Sequence, residues 1–221
     1  MKAACESDDG AGMKRRGGVV LLYLRLILVI LLVSWLSDGP RVKSSTQSEF
    51  IAKVTGIPGQ LALVIQKSRH VLTLYKGMTP VKSYWAAFGK GYASGDKRRK
   101  GDKRTPEGKF YICSLNHSER FYKFIGLSYP GLRHANEGLA RGIISRVEYN
   151  EIARAIAERR QPPWDTALGG AIGIHGRLTD AAVKYTPRPE NWTDGCIALN
   201  NQDVDEIFSV VSLGTPVYIL P

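Results

Sequence analysis

From Leu61 onward the chain is a succession of short runs, each five to nine residues long, rich in β-branched, aromatic and aliphatic side chains. They are Leu61–Gln66, Val71–Lys76, Val81–Gly89, Gly108–Cys113, Phe121–Ser128, Ala171–His175 and Pro216–Leu220. Runs of this length, bounded by turn-forming residues, suit strands better than helices. The first two form a hairpin about Lys67-Ser68-Arg69-His70, in which His70 is expected as an exposed turn residue. Helical signals are fewer. Ser145-Arg146-Val147-Glu148 has the spacing of a capping box, and Tyr149, Ile152, Ala153 and Ile156 follow at helical intervals. Asn200 can cap a helix carrying Val204, Ile207, Phe208 and Val211 at i, i+3, i+4 and i+7, which Leu213-Gly214 ends. The pattern predicts a mainly β domain with a few helices (α+β) over residues 59–221.

Upstream the chain is organised differently. Lys14-Arg15-Arg16 precede an apolar run, Val19 to Leu36, with Arg25 near its start. A basic flank before a hydrophobic stretch marks a secretory signal or signal anchor, and the run approaches the roughly 20 residues that span a bilayer. Ser37-Asp38-Gly39-Pro40 offers no small-residue cleavage site, so an uncleaved anchor is favoured over a cleaved signal. The basic flank then leaves the N-terminus in the cytoplasm and the domain outside it. The expected organisation is a leader (1–18), an anchor or signal peptide (19–36), a polar linker (37–58) and the β-rich domain. Met13 is an alternative start that would give a compact basic n-region.

The net charge of +11 favours anionic partners: nucleic acid, a membrane surface or an acidic polymer. No interleaved aromatic and basic motif supports nucleic acid. The densest basic run, Lys97-Arg98-Arg99-Lys100-Gly101-Asp102-Lys103-Arg104, reads first as a solvated loop and second as a groove for an acidic polymer. Three cysteines, Cys5, Cys113 and Cys196, make no disulfide framework. Cys113 falls in a strand-like run and reads as a small buried hydrophobe.

Cys196 stands apart. It follows Gly195, which lets backbone approach a reacting centre without a Cβ, and it precedes the apolar Ile197-Ala198-Leu199. The amides of Gly195 and Cys196 are candidates for an oxyanion hole. His175 lies 21 positions earlier, at the end of the Ala171–His175 run. Gly176 turns the chain there and leaves a backbone carbonyl to fix the imidazole tautomer, the orienting third member that a Cys–His pair needs. Each residue alone reads more simply as structural. A zinc site from His175, Cys196, His134 and His117 lacks any ligand spacing that supports it.

The order His-Gly, a loop, then Thr-x-Gly-Cys-Ile resembles the active-site signature of the YkuD-type L,D-transpeptidases. The similarity continues through Lys67 to Gly77, a loop rich in Gly, Asp, Lys and Arg, and Arg104-Thr105-Pro106-Glu107-Gly108-Lys109-Phe110-Tyr111-Ile112. It covers roughly residues 60–220. The resemblance implies a β-sandwich-like catalytic domain outside the cytoplasmic membrane that acts on peptidoglycan peptide stems. In that reading Cys196 is the nucleophile, attacking the carbonyl at the L-centre of the third stem residue and releasing D-alanine. His175 is the general base and acid, and Gly195, Gly176, Thr193 and Asp194 support the site. Transfer of the acyl group to an amine gives a 3–3 crosslink. No metal or organic cofactor is implied, the oligomeric state is left open, and the membrane is a partner only through the N-terminal segment.

Two positions depart from the common family pattern: Asp194 stands where many members have His, and Ala198 where many have Arg. Trp192-Thr193-Asp194-Gly195-Cys196-Ile197-Ala198 resembles a YafK-like sub-branch, in which some proteins cleave crosslinks or the bond to an anchored lipoprotein. Hydrolysis by the same site is therefore the alternative activity, and a non-catalytic wall-binding module the alternative class. Papain-like and NlpC-like peptidases place Cys before His, the reverse of the order here. For Asp194 a turn-capping role is favoured over binding a substrate ammonium, since Asp favours turns and a carboxylate beside the thiol opposes its ionisation. Tyr129-Pro130 and Arg133-His134 can shape a substrate wall, though packing explains Tyr129 equally.

Overall fold

In the computed structural model, residues 59–118, 121–177 and 191–221 are described. The chain divides into two units, Met1–Glu49 and Phe50–Pro221, and all the described residues belong to the second. The expected leader, anchor and linker lie outside the described residues. Among the described residues no helix is long and apolar enough to cross a membrane.

Among the described residues, eight strands and three α-helices follow in chain order. They are β1 (Leu61–Gln66), β2 (Val71–Lys76), β3 (Thr79–Trp85), β4 (Gly108–Ser118), β5 (Tyr122–Leu127), α1 (Leu132–Ala140), α2 (Arg146–Ala157), β6 (Gly173–His175), β7 (Ile197–Ala198), α3 (Asn201–Val210) and β8 (Pro216–Leu220). The strand order is β3-β2-β1-β8-β4-β5-β6-β7, the mainly β architecture that the runs predict. β1 and β2 pair antiparallel from Leu61 opposite Lys76 to Gln66 opposite Val71, and the C-terminal β8 runs parallel to β1.

β4 joins two halves of the sheet. Its first residues, Gly108 to Tyr111, pair with β8, and the rest pairs with β5 across an irregularity between Ile112 and Ser114. A bulge of this kind bends a strand and re-aims its side chains. One apolar core then draws on both halves: Leu63, Ile65 and Leu72 from the first, Ile125, Ile174 and Ile197 from the second, closed by Val204 and Ile207 of α3. A smaller cluster, Ala135, Ile144, Ile152 and Leu168, holds α1 and α2 together.

Ser145 and Glu148 form the full capping box, the Ser145 hydroxyl accepting the Glu148 amide while the Glu148 carboxylate accepts the Ser145 amide. Asn200 occupies the N-cap of α3 without a side-chain cap bond; its amide donates to Asp203 instead. His70 differs from its expected role. Its backbone is left-handed, at φ 52°, and its half-buried ring stacks on Trp85 at 5.9 Å and meets Phe88 and Tyr92 at 5.4 Å each. Aromatic burial outweighs solvation there, so the turn is packed onto the sheet.

Candidate active site

Alternation along β5, β6 and β7 builds the site. Ile125, Ile174 and Ile197 point into the core; the intervening residues face the other way. Phe124 lies opposite His175 and Gly126 opposite Gly173. β6 and β7 run parallel, with Ile174 opposite Ile197 and His175 opposite Ala198. One step back in the same register, Cys196 lies beside Gly173. Cys196 thus sits where β7 begins, its thiol against the backbone of Ala171 and Gly173, four and two residues before His175. The two glycines fit closely: a Cβ on Gly173 would lie 2.7 Å from the Ile125 carbonyl, and one on Gly126 would overlap the Ser114 hydroxyl.

His175 is 1% exposed. Its Nδ1 donates to the carbonyl of Gly176 at 2.6 Å. That oxygen only accepts, so the proton sits on Nδ1 and Nε2 carries the lone pair. Burial pushes the imidazole pKa below its ordinary value, with the Gly176 bond opposing the shift. Phe121 covers the ring, centroids 4.4 Å apart, and Trp192 meets it edge-on at 5.7 Å.

The Cys196 thiol donates to the carbonyl of Ala171 at 3.5 Å, a residue held at φ 52°. Burial pushes the thiol up to about 11, against a backbone hydrogen bond from Gly173 and the charge of Lys97; Asp194 adds to the rise. Burial therefore favours the neutral form of both the thiol and the imidazole. Cys113 is pushed higher, to about 12, by its own burial, and its thiol donates to the Gly126 carbonyl.

Thr193 clips the turn before the cysteine. Its hydroxyl donates to the Cys196 carbonyl at 2.7 Å and accepts from the Gly195 amide at 3.2 Å. The expected pair of oxyanion donors is therefore not free in this state, because the Gly195 amide is spent within the turn. Asp194 is exposed and makes no hydrogen bond or ion pair among the described residues, so Thr193 takes the capping role expected of it. Gly195, at φ 135°, brings the backbone against Arg104: a Cβ there would sit 2.7 Å from the Arg104 carbonyl.

The basic run is not simply solvated. Lys97 is 4% exposed and donates to the Asp102 carboxylate at 2.7 Å, which also accepts the amides of Arg98, Arg99 and Arg104. A carboxylate inside a basic loop gathers these donors into a knot. Its exposed cations are Arg98, Arg99, Lys100 and Lys103. Tyr129 is fully buried, its hydroxyl donating to the Leu168 carbonyl, and His134 is buried against Asp96, so both pack rather than line a wall. His134 and His117 belong to other clusters, and no three His, Cys, Asp or Glu side chains among the described residues are arranged to hold a metal. Sequence reasoning overlooked Phe121 and Ala171. Phe121 reaches the site from a distant hairpin and so leaves no local signal.

The family model of the YkuD L,D-transpeptidase catalytic domain matches residues 60–219. Among solved structures, the chain resembles the helical cell shape determining protein Pgp2 from Campylobacter jejuni, at 20% identity and a TM-score of 0.51, over 80% of this chain and 56% of that one. Bd1075 from Bdellovibrio bacteriovorus follows at 16% identity and a TM-score of 0.47, over 73% and 48%. L,D-transpeptidase 1 from Mycobacterium tuberculosis aligns at 14% identity and a TM-score of 0.41, over 73% and 62%. The chain thus spans about half to three fifths of the length of these proteins. No curated protein sequence matches significantly. The match over nearly the whole β-rich domain shows that this chain belongs to the YkuD family of L,D-transpeptidase catalytic domains.

Proposed function

We propose that this chain is a peptidoglycan L,D-transpeptidase in which Cys196 is the nucleophile and His175 the proton carrier. The observation that carries the reading is the Nδ1 bond of His175 to Gly176, on a strand paired with the one that follows Cys196. It leaves the lone pair on Nε2, the nitrogen that takes the thiol proton in this reading. His175 takes the Cys196 proton as sulfur attacks the carbonyl at the L-centre of the third residue of a tetrapeptide stem. The Cys196 amide donates to the oxygen on which charge develops. The C–N bond to D-alanine breaks, and His175 returns its proton to the departing amine. A thioester remains. An acceptor amine from a second stem attacks it, His175 takes the amine proton and passes it to the departing thiolate, and a 3–3 crosslink results.

Because burial favours the neutral form of both groups, the thiol is deprotonated during attack rather than before it. Lys14-Arg15-Arg16 and the apolar run after them support a domain that works outside the cytoplasmic membrane, held there by its N-terminal segment. Incubation of the purified protein with a disaccharide-tetrapeptide tests the reading. Crosslinked dimers and free D-alanine are expected, and both disappear in Cys196→Ala. Tripeptide without dimers would make water the acceptor, and full activity in Cys196→Ala would remove the nucleophile assignment.

A further inference from the structure

Taking His175 as the base, we propose that Phe121 is its positioning residue, held over the imidazole by a hairpin end that is pinned to α3. The ring contact, 4.4 Å between centroids at 36°, is at the short end of aromatic pair distances. Phe121 lies where β4 passes into β5, and its amide donates to the Ser118 hydroxyl. The next two residues are tied to one carboxylate: the Tyr122 hydroxyl and the Lys123 ammonium both donate to Asp205 of α3, at 2.8 and 2.5 Å.

The backbone of Tyr122 is left-handed, at φ 70°, an arrangement that costs energy for a side chain of this size and persists only when its surroundings hold it. Asp205 and the close fit to Gly176 supply that hold. A Cβ on Gly176 would lie 3.2 Å from Tyr122 and overlap the Asn201 side chain, which also accepts the Arg177 amide at 2.7 Å. α3, the hairpin end and the His175-Gly176 turn thus form one packed unit, with Phe121 as its contact on the imidazole.

The Gly176 carbonyl fixes only Nδ1 of the imidazole. Rotation of the ring about that bond is limited by what lies on its face, and Phe121 lies there. It also replaces water that would otherwise solvate the imidazolium. Small displacements of a reacting group cost large factors in rate, so Phe121 acts on catalysis without touching substrate.

The test uses the whole protein with Phe121→Ala, Phe121→Leu, Phe121→Tyr and Asp205→Ala. It combines kcat and KM across pH with an NMR titration of the His175 ring. Phe121→Ala is expected to lower kcat about tenfold with KM within about twofold. The midpoint of the acid limb and of the titration should rise toward 6.5, the ordinary imidazole value. Phe121→Tyr restores both, and Asp205→Ala moves them the same way by less. A wild-type acid limb and titration in Phe121→Ala overturn the proposal. Should that variant fail to fold, unchanged profiles in Phe121→Leu and Asp205→Ala overturn it equally. Full activity in His175→Gln would instead overturn the base assignment, a separate failure that the NMR titration does not depend on.

Discussion

At the level of single residues, much of the site depends on side chains that do no chemistry. Thr193 bridges the amide of Gly195 and the carbonyl of Cys196, so its hydroxyl sets the backbone on both sides of the sulfur. Valine has nearly the same shape and neither bond. Thr193→Val is expected to cost about 1–3 kcal/mol, because it leaves buried polar groups unpaired, and to lower kcat more than KM changes. Urea denaturation and steady-state kinetics check the two effects separately. Asp96 makes a second case. Burial alone would raise its carboxyl pKa, but hydrogen bonds from His134, the Glu107 amide and Arg133 outweigh that and hold it at about 2. A group whose folded pKa is depressed stabilises the protein above its unfolded value, and that contribution is lost as pH falls through the folded one. Asp96→Asn is therefore expected to be less stable than the parent by about 2 kcal/mol at neutral pH. The gap should narrow below pH 3.8 and close near pH 2. A gap that stays constant through acid titration would show that the carboxylate contributes by shape alone.

Among elements, strands with an apolar face were legible and pieces that bury polar or small residues were not. β1, β2 and β8 appear within the runs that name them because their inner residues alternate or are wholly apolar. β3 does not. It begins at Thr79, includes Pro80, and is almost entirely exposed, as an edge strand can be. The apolar end of its run, Ala86 to Gly89, leaves the strand to make single bridges to Ala198 and Thr193. α1 was missed because the residues it buries are His134, Ala135 and Gly138, which give no apolar stripe. The His175 and Cys196 motifs could be read, but their mutual register could not, since β6 and β7 are three and two residues long. Gly89 shows how closely these pieces fit. A Cβ there would overlap the Lys103 carbonyl and lie 2.9 Å from the Gly195 Cα, both of them backbone that cannot rotate away. Gly89→Ala is expected to cost about 1–3 kcal/mol by overpacking and to abolish most activity by displacing the cysteine turn. Ser145→Ala should cost about 1 kcal/mol through its lost cap and leave kcat unchanged. Equal kinetic losses in the two variants would mean that activity follows global stability instead of the turn.

At the scale of the whole molecule, a dense share of the basic charge lies in the loop over residues 97–104. Asp102 draws Lys97 inward and knots the loop, and the exposed cations ride on a backbone that touches the site from two sides. The Lys100 amide donates to the Ala167 carbonyl at 2.9 Å, in the segment that leads to Ala171, the acceptor of the thiol. The Arg104 carbonyl abuts Gly195. Replacing all of Lys97, Arg98, Arg99 and Lys100 would confound two effects, because Lys97 is structural. Replacing Arg98, Arg99 and Lys100 by glutamine isolates the field. Each exposed charge is worth only a few tenths of a kcal/mol to an anionic substrate in water, so three together change KM by about fivefold at low ionic strength. Near 1 M salt the screening length shrinks to about 3 Å and the difference should fall below about twofold, with kcat the same throughout. An equal KM ratio at both salts would show that these side chains make fixed contacts. A fall in kcat would show that the loop had moved the Gly195 turn, which the knot around Asp102 is built to prevent.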